Sequence, residues 1–357
     1  MKIFAFFLPQ FHTIPENDEW WGNGFTEWTN VRAAKPLFLG HKQPVHPLNG
    51  RYYNLLEKET VLWQTELLHQ YSVDGLIYYH YYFDGKLLLE KPAENLLKWK
   101  EINQPFFFCW ANHPWRKTWN DTREILMPLT YGDETSWEKH FQYLLPFFRD
   151  KRYEKKDNMP LFMVLESKFK EKKQMFAFLD KRCREEGFNG LYLIESYFGE
   201  KEAVTDSASL TPHTKGVFYR EPLSQRQFYT NHISFPARIK NRVLRELRAR
   251  KLVKIPLCYS GNAMMKHKLK SEPFGDRVIH GLWFEWDSTP RHKERGYIIT
   301  PYRKKYFDQY MNQIKGEEFL FVNAWNEWCE GMILEPTEEK GFRYLEWIRA
   351  WREKNSV

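Results

Sequence analysis

The feature that most constrains the fold of this chain is its alternation of short apolar runs with longer amphipathic stretches. The apolar runs predict strands at residues 2–8, 75–81, 105–110, 160–166, 190–196, 216–220, 281–286 and 318–324. Several are near-continuously apolar, as strands covered on both faces are. The stretches between them predict helices at residues 58–71, 136–149, 168–186, 236–251, 301–315 and 342–353. This order is typical of βα units around a parallel sheet.

Eight strand candidates in this order predict an α/β fold of the (β/α)8 TIM-barrel type, forming a single domain over residues 1–357. Residues 254–260 are a ninth strand candidate, so the number of strands stays open by one. A doubly wound sheet is the rival architecture, but no GxGxxG or Walker motif follows a predicted strand. Long rim loops at 9–57 and 198–214 are expected to shape a substrate cleft. Ser136 and Ser167 are expected to be helix N-caps.

Aromatic residues make up 18% of the chain, with 15 Trp, 20 Tyr and 28 Phe. A buried Trp or Tyr needs a hydrogen-bond partner for its polar tip. So many of them therefore favour a large cleft surface as well as a core. Flat apolar rings edged with hydrogen-bonding groups suit sugars, which predicts an oligosaccharide or polysaccharide substrate. The alternative is a core that is merely rich in aromatic residues.

The chain carries a formal charge of +8 with a pI near 9.0. This charge favours an acidic partner such as an anionic membrane surface, a phosphorylated carrier or an acidic polymer. Neither a zinc finger nor an RNA-binding aromatic signature is present, so nucleic acid is not an expected partner. The predicted helix at 236–251 is basic on one side and apolar on the other. Such a helix docks on anionic lipid, although a solvated outer helix of a barrel has the same pattern.

The cysteine pattern and the N-terminus bear on the cellular compartment. Four cysteines, Cys109, Cys183, Cys258 and Cys329, lie far apart and form no CxxC pair, which indicates a reducing environment. The apolar start is too short for a secretory signal. No run approaches the roughly 18 apolar residues of a membrane span. The sequence therefore predicts a cytoplasmic protein, with peripheral membrane association as an option.

The strongest candidate for chemistry follows the last predicted strand, in the segment WNEWCEG at 325–331. Glu327 and Glu330 are three residues apart, so on a helical turn they face the same way with about 5–6 Å between their Cβ atoms. Retaining glycosidases need two carboxyl groups about 5–5.5 Å apart. The flanking Trp325 and Trp328 are expected to raise the pKa of one carboxyl by excluding water. We therefore predict a catalytic pair, the alternative being an inert pair on an exposed helix.

Other candidates lie at the ends of other strands and in the first loop, because a barrel site is assembled from several strands. The predicted substrate-binding residues are Glu27, Trp28, His80, Trp110, Asn112, Trp115, Glu195, Trp286, Asp287, Arg291, Trp325, Asn326 and Trp328. For His80 a hydrogen-bonded core histidine is the alternative, and for Asp287 and Arg291 a structural salt bridge. The histidines show no HExxH or paired-ligand spacing, so neither a metal nor another cofactor is expected.

Seven segments, in this order, carry a resemblance to a known family. They are FLPQFH at 7–12, PEND at 15–18, GFTEW at 24–28, WAN at 110–112, DSTPR at 287–291, NAWNEWCEG at 323–331 and LEP at 334–336. On these segments the chain resembles, over nearly its whole length, the glycoside hydrolase family 99-like proteins of polysaccharide gene clusters, often called WbsX-type. The resemblance implies a (β/α)8 barrel, in agreement with the predicted strands.

The resemblance also implies roles for the two glutamates. The hydrolase relatives are retaining endo-acting α-mannosidases and mannanases with a similar Asn-Glu-Trp-x-Glu-Gly stretch. By this resemblance Glu327 is a base on the substrate's own 2-hydroxyl, which gives a 1,2-anhydro sugar, and Glu330 is the general acid. Residues 112–115 read NHPW where many members carry NENW, and Asp287 precedes a serine where an asparagine is usual. Both departures are expected to change subsite contacts.

Three functions are compatible with these features. The first is a retaining glycoside hydrolase or transglycosylase acting in bacterial cell-surface polysaccharide metabolism, on a glycan that a lipid phosphate could carry. The second is a glycosyltransferase that uses a nucleotide- or lipid-linked sugar donor, against which the missing nucleotide-binding motif counts. The third is a non-catalytic glycan-binding barrel, against which the presence of both carboxylates counts.

Overall fold

The computed structural model describes residues 1–116, 124–197, 216–220, 235–250, 252–271 and 277–355. Its central sheet contains the parallel strands β1 (Lys2–Phe7), β2 (Gly75–Phe83), β3 (Phe106–Trp110), β4 (Met159–Val164), β5 (Tyr192–Tyr197), β6 (Gly216–Arg220), β7 (Val278–Trp283) and β8 (Phe319–Asn323). Each strand pairs with the next along the chain. β8 pairs in turn with β1, so the ring is closed. The predicted (β/α)8 barrel is therefore confirmed.

The ninth strand candidate lies outside this ring. Leu257–Tyr259 pairs in parallel with Tyr297–Ile299, which also pairs antiparallel with Trp286–Asp287. These three short strands form a separate sheet at the barrel rim. The strand predicted at 281–286 is displaced for the same reason. The chain leaves the barrel after Trp283, at the end of β7, and pairs next in the rim sheet.

The helices on the described residues are α1 (Pro15–Trp21), α2 (Glu27–Ala33), α3 (Lys58–Gln70), α4 (Lys91–Lys98), α5 (Glu134–Arg149), α6 (Lys172–Glu185), α7 (Phe235–Ala249), α8 (Gly261–Ser271), α9 (Thr289–His292), α10 (Lys304–Gln313) and α11 (Arg343–Asn355). The first predicted rim loop, 9–57, contains α1 and α2, and the second, 198–214, lies outside the described residues. Over the described ranges, no helix is both long and apolar enough to cross a membrane.

Both predicted N-caps are wrong. Asp133 caps α5, because its side chain accepts hydrogen bonds from the backbone nitrogens of Thr135 and Ser136. Ser136 therefore lies inside the first turn. α6 begins at Lys172, so Ser167 lies in the preceding segment.

Aromatic rings fill the inside of the barrel. Phe4 and Phe6 of β1 contact rings contributed by other strands, with ring centroids 5.2 Å apart for Phe4 and Phe107. Tyr219 of β6 lies 5.4 Å from both Phe6 and Phe321. Such packing accounts for much of the aromatic content through the core, the alternative that the composition left open.

Candidate active site

The predicted catalytic pair lies in the turn that follows β8. Asn326–Glu327 pairs antiparallel with Met332–Ile333, and Trp328–Glu330 forms a 3-10 turn between them. Side chains three residues apart lie above one another along a 3-10 turn. Glu327 and Glu330 accordingly line the same cleft.

Arg291 lies among three carboxylates at this position. Its Nη1 is 2.5 Å from Oε1 of Glu330, and its Nη2 is 3.3 Å from Oε1 of Glu27 and 3.7 Å from Oε2 of Glu327. The four residues come from α2, α9 and the turn after β8, and the sequence predicted each of them as a site residue. Burial alone would lower the pKa of Arg291, but the three carboxylates raise it well above its usual value. The guanidinium therefore stays charged.

Asp287 stabilises the short helix α9, which carries Arg291, through hydrogen bonds to its first residue. The Asp287 carboxylate accepts hydrogen bonds from the backbone nitrogen and the hydroxyl of Thr289, at 3.0 and 2.6 Å. Its other oxygen is 2.8 Å from His41 Nε2 and from Gln43 Nε2. Gly331 packs against it with a φ of 65°, and a Cβ there would lie 2.8 Å from the Asp287 nitrogen. Asp287 thus supports the helix that carries Arg291. The sequence predicts Asp287 as a substrate contact, but its side chain does not line the cleft.

The two carboxyls of the pair differ in surroundings. Burial raises the pKa of Glu327 to about 8, and the negative charges of Glu330 and Glu27 add to this while Arg291 opposes it. The protonated form of Glu327 is therefore favoured near neutral pH. Among the described residues, Oε2 of Glu327 and Oε2 of Glu27 are buried without a hydrogen-bond partner. Buried polar atoms of this kind are uncommon and mark a place where a ligand can bind.

Asn326 fixes the turn to the first strand of the barrel. Its side-chain oxygen accepts from the Leu8 backbone nitrogen at 2.7 Å, and its side-chain nitrogen donates to the Leu8 carbonyl at 3.0 Å. The same nitrogen donates to the Tyr53 hydroxyl at 3.2 Å. Asn326 is fully buried. The predicted substrate contact is therefore a structural anchor.

A buried carboxyl, Glu335, anchors the turn from the other side. It accepts hydrogen bonds from Gln64 at 2.7 Å, from Trp328 at 2.8 Å and from Tyr53 at 2.9 Å. Burial raises the pKa of Glu335 to about 7, while these three donors lower it. Trp328, predicted to bind substrate, belongs to this network, and Trp28 packs against it with ring centroids 5.2 Å apart. Both indoles are buried.

The cleft that the predicted pair lines, referred to below as the catalytic cleft, has a volume of about 700 Å³. Of the predicted site residues, the structure brings together at its wall Glu27, Asn112, Trp115, Arg291, Glu327 and Glu330. It also places there six aromatic side chains, namely Trp21, Phe25, Tyr79, Tyr81, Trp115 and Tyr131. Their roles in substrate binding stay predictions.

The segment at 112–115, where the chain departs from the pattern of its relatives, lines the cleft. Asn112 is nonetheless engaged in the structure, because its side chain exchanges hydrogen bonds with the backbone of Glu166 at 2.7 and 2.8 Å. Trp115 is half-buried and lies edge-on to Tyr81, with ring centroids 5.0 Å apart. His113 takes the place of the more usual carboxylate, and burial lowers its pKa. The side chains of residues 112–115 are therefore uncharged at neutral pH, although Arg116 and Glu166 line the cleft beside them.

Besides Trp28, Asp287, Asn326 and Trp328, five further predicted residues do not line the cleft. His80 is buried 2.8 Å from His140, Trp110 donates to the Tyr82 carbonyl, and Glu195 pairs with Lys172. Trp325 is completely buried, and Trp286 lies in the rim sheet against Tyr297. Side chains alternate between the two faces of a strand. On β2 this alternation turns Tyr79 and Tyr81 to the cleft and His80 away from it.

Tyr81 is a site residue that the sequence reasoning missed. Burial raises its pKa, and the negative charge of Glu327 raises it further. The phenol therefore remains protonated and can donate a hydrogen bond into the cleft beside the carboxyl pair. The signal that could have found it is the alternation of side chains along β2, which puts Tyr79 and Tyr81 on the face opposite to His80.

A model of the family described as Glycosyltransferase WbsX matches residues 3–348 of the chain. The chain belongs to this family. The resemblance seen in its sequence segments is thereby confirmed.

A curated relative of this WbsX-family chain is "Uncharacterized protein WxcX" from Xanthomonas campestris pv. campestris, strain ATCC 33913. It is 28% identical over 365 residues, which cover 97% of this chain and 49% of that protein. A second strain, B100, has a protein of the same name with the same identity and coverage. The chain thus spans about half the length of the curated relatives it matches.

Solved structures share the fold at low identity. The GH99 endo-alpha-mannosidase from Bacteroides thetaiotaomicron superposes with a TM-score of 0.54 at 14% identity, covering 99% of this chain and 96% of the other. A "Glycoside hydrolase-like protein" superposes with a TM-score of 0.59 at 10% identity, covering 100% of this chain and 94% of the other. At such identities the likeness shows a common barrel fold.

Proposed function

We propose that this WbsX-family chain cleaves or transfers a glycosidic bond, with Glu327 and Glu330 as its general acid–base pair. The observation that carries the proposal is the cluster of three carboxylates around Arg291 at the end of β8. The carboxyl ends of the strands are where (β/α)8 enzymes keep their chemistry. Glycosidic bond cleavage needs one carboxyl that gives a proton to the leaving oxygen and a second that acts as base or nucleophile.

The position of the proton bears on how the roles are divided. Burial raises the pKa of Glu327 to about 8 and so favours its protonated form, while Glu330 contacts the Arg291 guanidinium at 2.5 Å. The roles implied by the family resemblance are the reverse, with Glu327 as base and Glu330 as acid. Those roles require the proton to pass to Glu330 when substrate binds. A base whose pKa lies near the working pH is well suited to take a proton from a sugar hydroxyl.

In that division the bonds balance within the substrate. Glu327 takes the proton of the sugar 2-hydroxyl, whose oxygen forms a bond to the anomeric carbon while the glycosidic bond breaks. Glu330 gives its proton to the leaving oxygen. Water or another sugar then opens the 1,2-anhydro ring, with the two carboxyls exchanging roles. The acceptor decides between hydrolysis and transglycosylation.

The experiment is to incubate the protein with mannose-containing and rhamnose-containing oligosaccharides and to follow products by mass spectrometry. Glu327→Gln and Glu330→Gln should each lower turnover by about 10²–10⁴-fold, as expected for general acid–base groups. Glu353→Gln is the matched control, because its side chain is 69% exposed on α11. Full turnover in both site variants would remove the pair from the mechanism.

A second candidate function is glycosyl transfer from an activated donor, favoured by the description of the family. The same assay separates the two. Release of free sugar without a donor supports hydrolysis, whereas elongation that occurs only with a nucleotide- or lipid-linked sugar supports transfer. Binding of the oligosaccharide without any turnover would support the third option, a glycan-binding barrel.

We place the reaction at the cytoplasmic face of a membrane, on a lipid-phosphate-linked glycan. The support for this placement comes from α7, where Phe235, Ile239 and Val243 are spaced four residues apart and are 67%, 48% and 50% exposed. Arginine and lysine residues alternate with them along the helix. An exposed apolar ridge within a basic helix fits an anionic lipid surface. Ile239→Ser/Val243→Ser should reduce co-sedimentation with vesicles containing phosphatidylglycerol, and equal sedimentation would count against the placement.

A further inference from the structure

A second cleft, the basic cleft, opens beside the catalytic cleft and has a volume of about 1140 Å³. The two clefts share Trp21, Phe25, Asn30 and Arg291 in their walls. The two clefts therefore adjoin at these residues, and an extended ligand that crosses them would reach both. The shared residues include the cation that holds the catalytic carboxylates.

The two walls of the basic cleft contribute cations from distant parts of the chain. One wall is α7 with the segment after it, and the other is the turn after α9. Besides Arg291, the described cationic side chains in these walls are Arg245, Arg248, Lys254, Lys293 and Arg295. Glu294 is the acidic residue among the described lining residues. The cleft therefore has a strongly positive potential next to a cleft lined by carboxylates.

Contacts between the walls hold them in place. The Arg248 guanidinium donates to the Glu294 carbonyl at 2.8 Å, which ties α7 to the turn after α9. The rim sheet forms the floor, with Leu257 and Tyr297 in neighbouring strands. Burial lowers the pKa of His292 at this cleft, and the charges of Arg291 and Arg295 lower it further while nearby carboxylates oppose them. The imidazole is neutral, so the positive charge of the cleft comes from lysine and arginine.

We propose that the basic cleft binds a diphosphate group of the sugar substrate while the sugar itself lies in the catalytic cleft. The inference rests on the proposed function and names its substrate class as a glycosyl diphosphate. Several converging cations match a group with two or three negative charges better than they match a single carboxylate. Arginine binds phosphate oxygens in pairs, and lysine adds a point charge. Because both clefts are lined by Arg291, which contacts Glu330 at 2.5 Å, a diphosphate in the basic cleft would lie next to the carboxyl pair.

The first test is direct binding of inorganic pyrophosphate to the full chain, measured by isothermal titration calorimetry. The double variant Arg245→Gln/Lys293→Gln removes one exposed cation from each wall. It should weaken pyrophosphate binding by about tenfold or more, because each of the two substitutions removes a charge-assisted hydrogen bond to the anion. Arg238→Gln/Arg242→Gln is the matched control, since both are exposed on α7 and neither lines either cleft. Equal affinities in the two double variants, or no binding to the wild-type chain, would overturn the proposal.

The second test asks which molecule supplies the diphosphate. Pyrophosphate binding is measured again in the presence of uridine diphosphate, and separately in the presence of a short polyprenyl diphosphate in detergent. Competition by either one supports the site, and the stronger competitor identifies a nucleotide or a lipid source. Competition by neither, with pyrophosphate bound, would show that the cleft takes only the free anion and would refute a glycosyl diphosphate substrate.

These binding readouts do not depend on turnover. A chain that binds pyrophosphate but cleaves no glycoside would contradict the acid–base proposal alone. A chain with active carboxylates whose affinity for pyrophosphate is unaffected in Arg245→Gln/Lys293→Gln would contradict the diphosphate site alone.

Discussion

The catalytic cleft and the basic cleft share four lining residues, Arg291 among them, yet they are built in opposite ways. In the first, Glu27 and Glu327 are buried and Glu330 is partly buried. The turn that bears Glu327 and Glu330 is fixed by hydrogen bonds from Asn326 and by the network around Glu335. In the second, the cations are long, mostly exposed side chains of a helix and a turn. Fixed buried charges suit bond chemistry, because they need no reorganisation during the reaction. Exposed cations suit recruitment of a charged group.

This difference in burial also determines how strongly a substitution in each cleft should change rate, stability or binding. A buried charge acts at low effective dielectric and loses its partner at a high energetic cost, whereas an exposed charge is screened by water and salt. Substitutions in the catalytic cleft should therefore change rates or stability strongly. Substitutions in the basic cleft should change binding by smaller factors that depend on ionic strength.

The largest effect that tests this comparison is expected for Arg291→Gln. The substitution removes the cation shared by three carboxylates, so turnover should fall by about 10²–10³-fold, within the range for electrostatic stabilisation. Arg291 opposes the rise in the pKa of Glu327, so the acidic limb of the pH–rate profile should move to higher pH. Arg291→Lys should restore part of the rate.

The control for this variant is Arg250→Gln, an exposed arginine outside both clefts. Its pH–rate profile should coincide with that of the wild-type chain. An Arg291→Gln enzyme with the wild-type profile would mean that the carboxylates do not depend on this cation.

A second large effect is expected for Glu335→Ala, which tests whether the catalytic turn depends on its buried support. Three donors, on Tyr53, Gln64 and Trp328, would lose their acceptor. Buried donors left unsatisfied cost about 1–3 kcal/mol each before relaxation, so the free energy of unfolding should fall by about 3 kcal/mol. Urea denaturation measures this loss. Glu335→Gln keeps one acceptor oxygen and should lose less, whereas equal stability of all three proteins would refute the role.

The sequence predicted the part of this architecture that follows from chain order. The position of Glu327 and Glu330 follows from an apolar strand ending just before them, and the (β/α)8 barrel follows from the strand order. The barrel then brings Glu27 and Arg291, 264 residues apart, to the same rim. Such strand-end positions can be read from a single sequence, because parallel strands share their carboxyl ends.

What the sequence did not reveal depends on strand phase and on distant partners. The sequence predicts His80 as a site residue and not Tyr81. A run of aromatic residues does not show which side of β2 faces the cleft. Glu335 resembles any acidic residue until its bond to Gln64, 271 residues away, is seen. Asp287 was predicted to contact substrate, but the fold turns its carboxylate towards His41. In each case packing across the barrel decides the direction of the side chain.

A third effect follows from the raised pKa of Glu327, about 8 in the folded chain against 4.5 in a free side chain. Between these two values the folded chain binds more protons than the unfolded one, so stability falls as pH rises. Below the lower value the group contributes nothing, and above the higher one its full cost is present. Glu327→Gln removes the titration and should raise the free energy of unfolding by up to about 5 kcal/mol at pH 9, at about 1.4 kcal/mol for each pH unit between the two values, but little at pH 4.

Urea denaturation at several pH values measures this difference, with Glu353→Gln as the exposed control whose effect should not change with pH. A Glu327→Gln variant that parallels the wild-type curve across this range would mean that the carboxyl is not held protonated by the fold. It would also remove the physical basis for the proton order in the pair.

The smallest effect separates the two clefts by salt. Raising the ionic strength from about 0.05 to 0.3 M shortens the screening length by about 2.5-fold. Attraction between exposed charges weakens, so pyrophosphate affinity should fall by about three- to tenfold. The buried ion pairs of Arg291 are shielded from salt, so turnover of an uncharged oligosaccharide should change by less than about twofold. Calorimetry and the product assay give the two slopes on the same protein. Equal dependence of affinity and turnover on salt would mean that the charges of the two clefts are equally exposed to solvent ions, which would contradict the difference described between them.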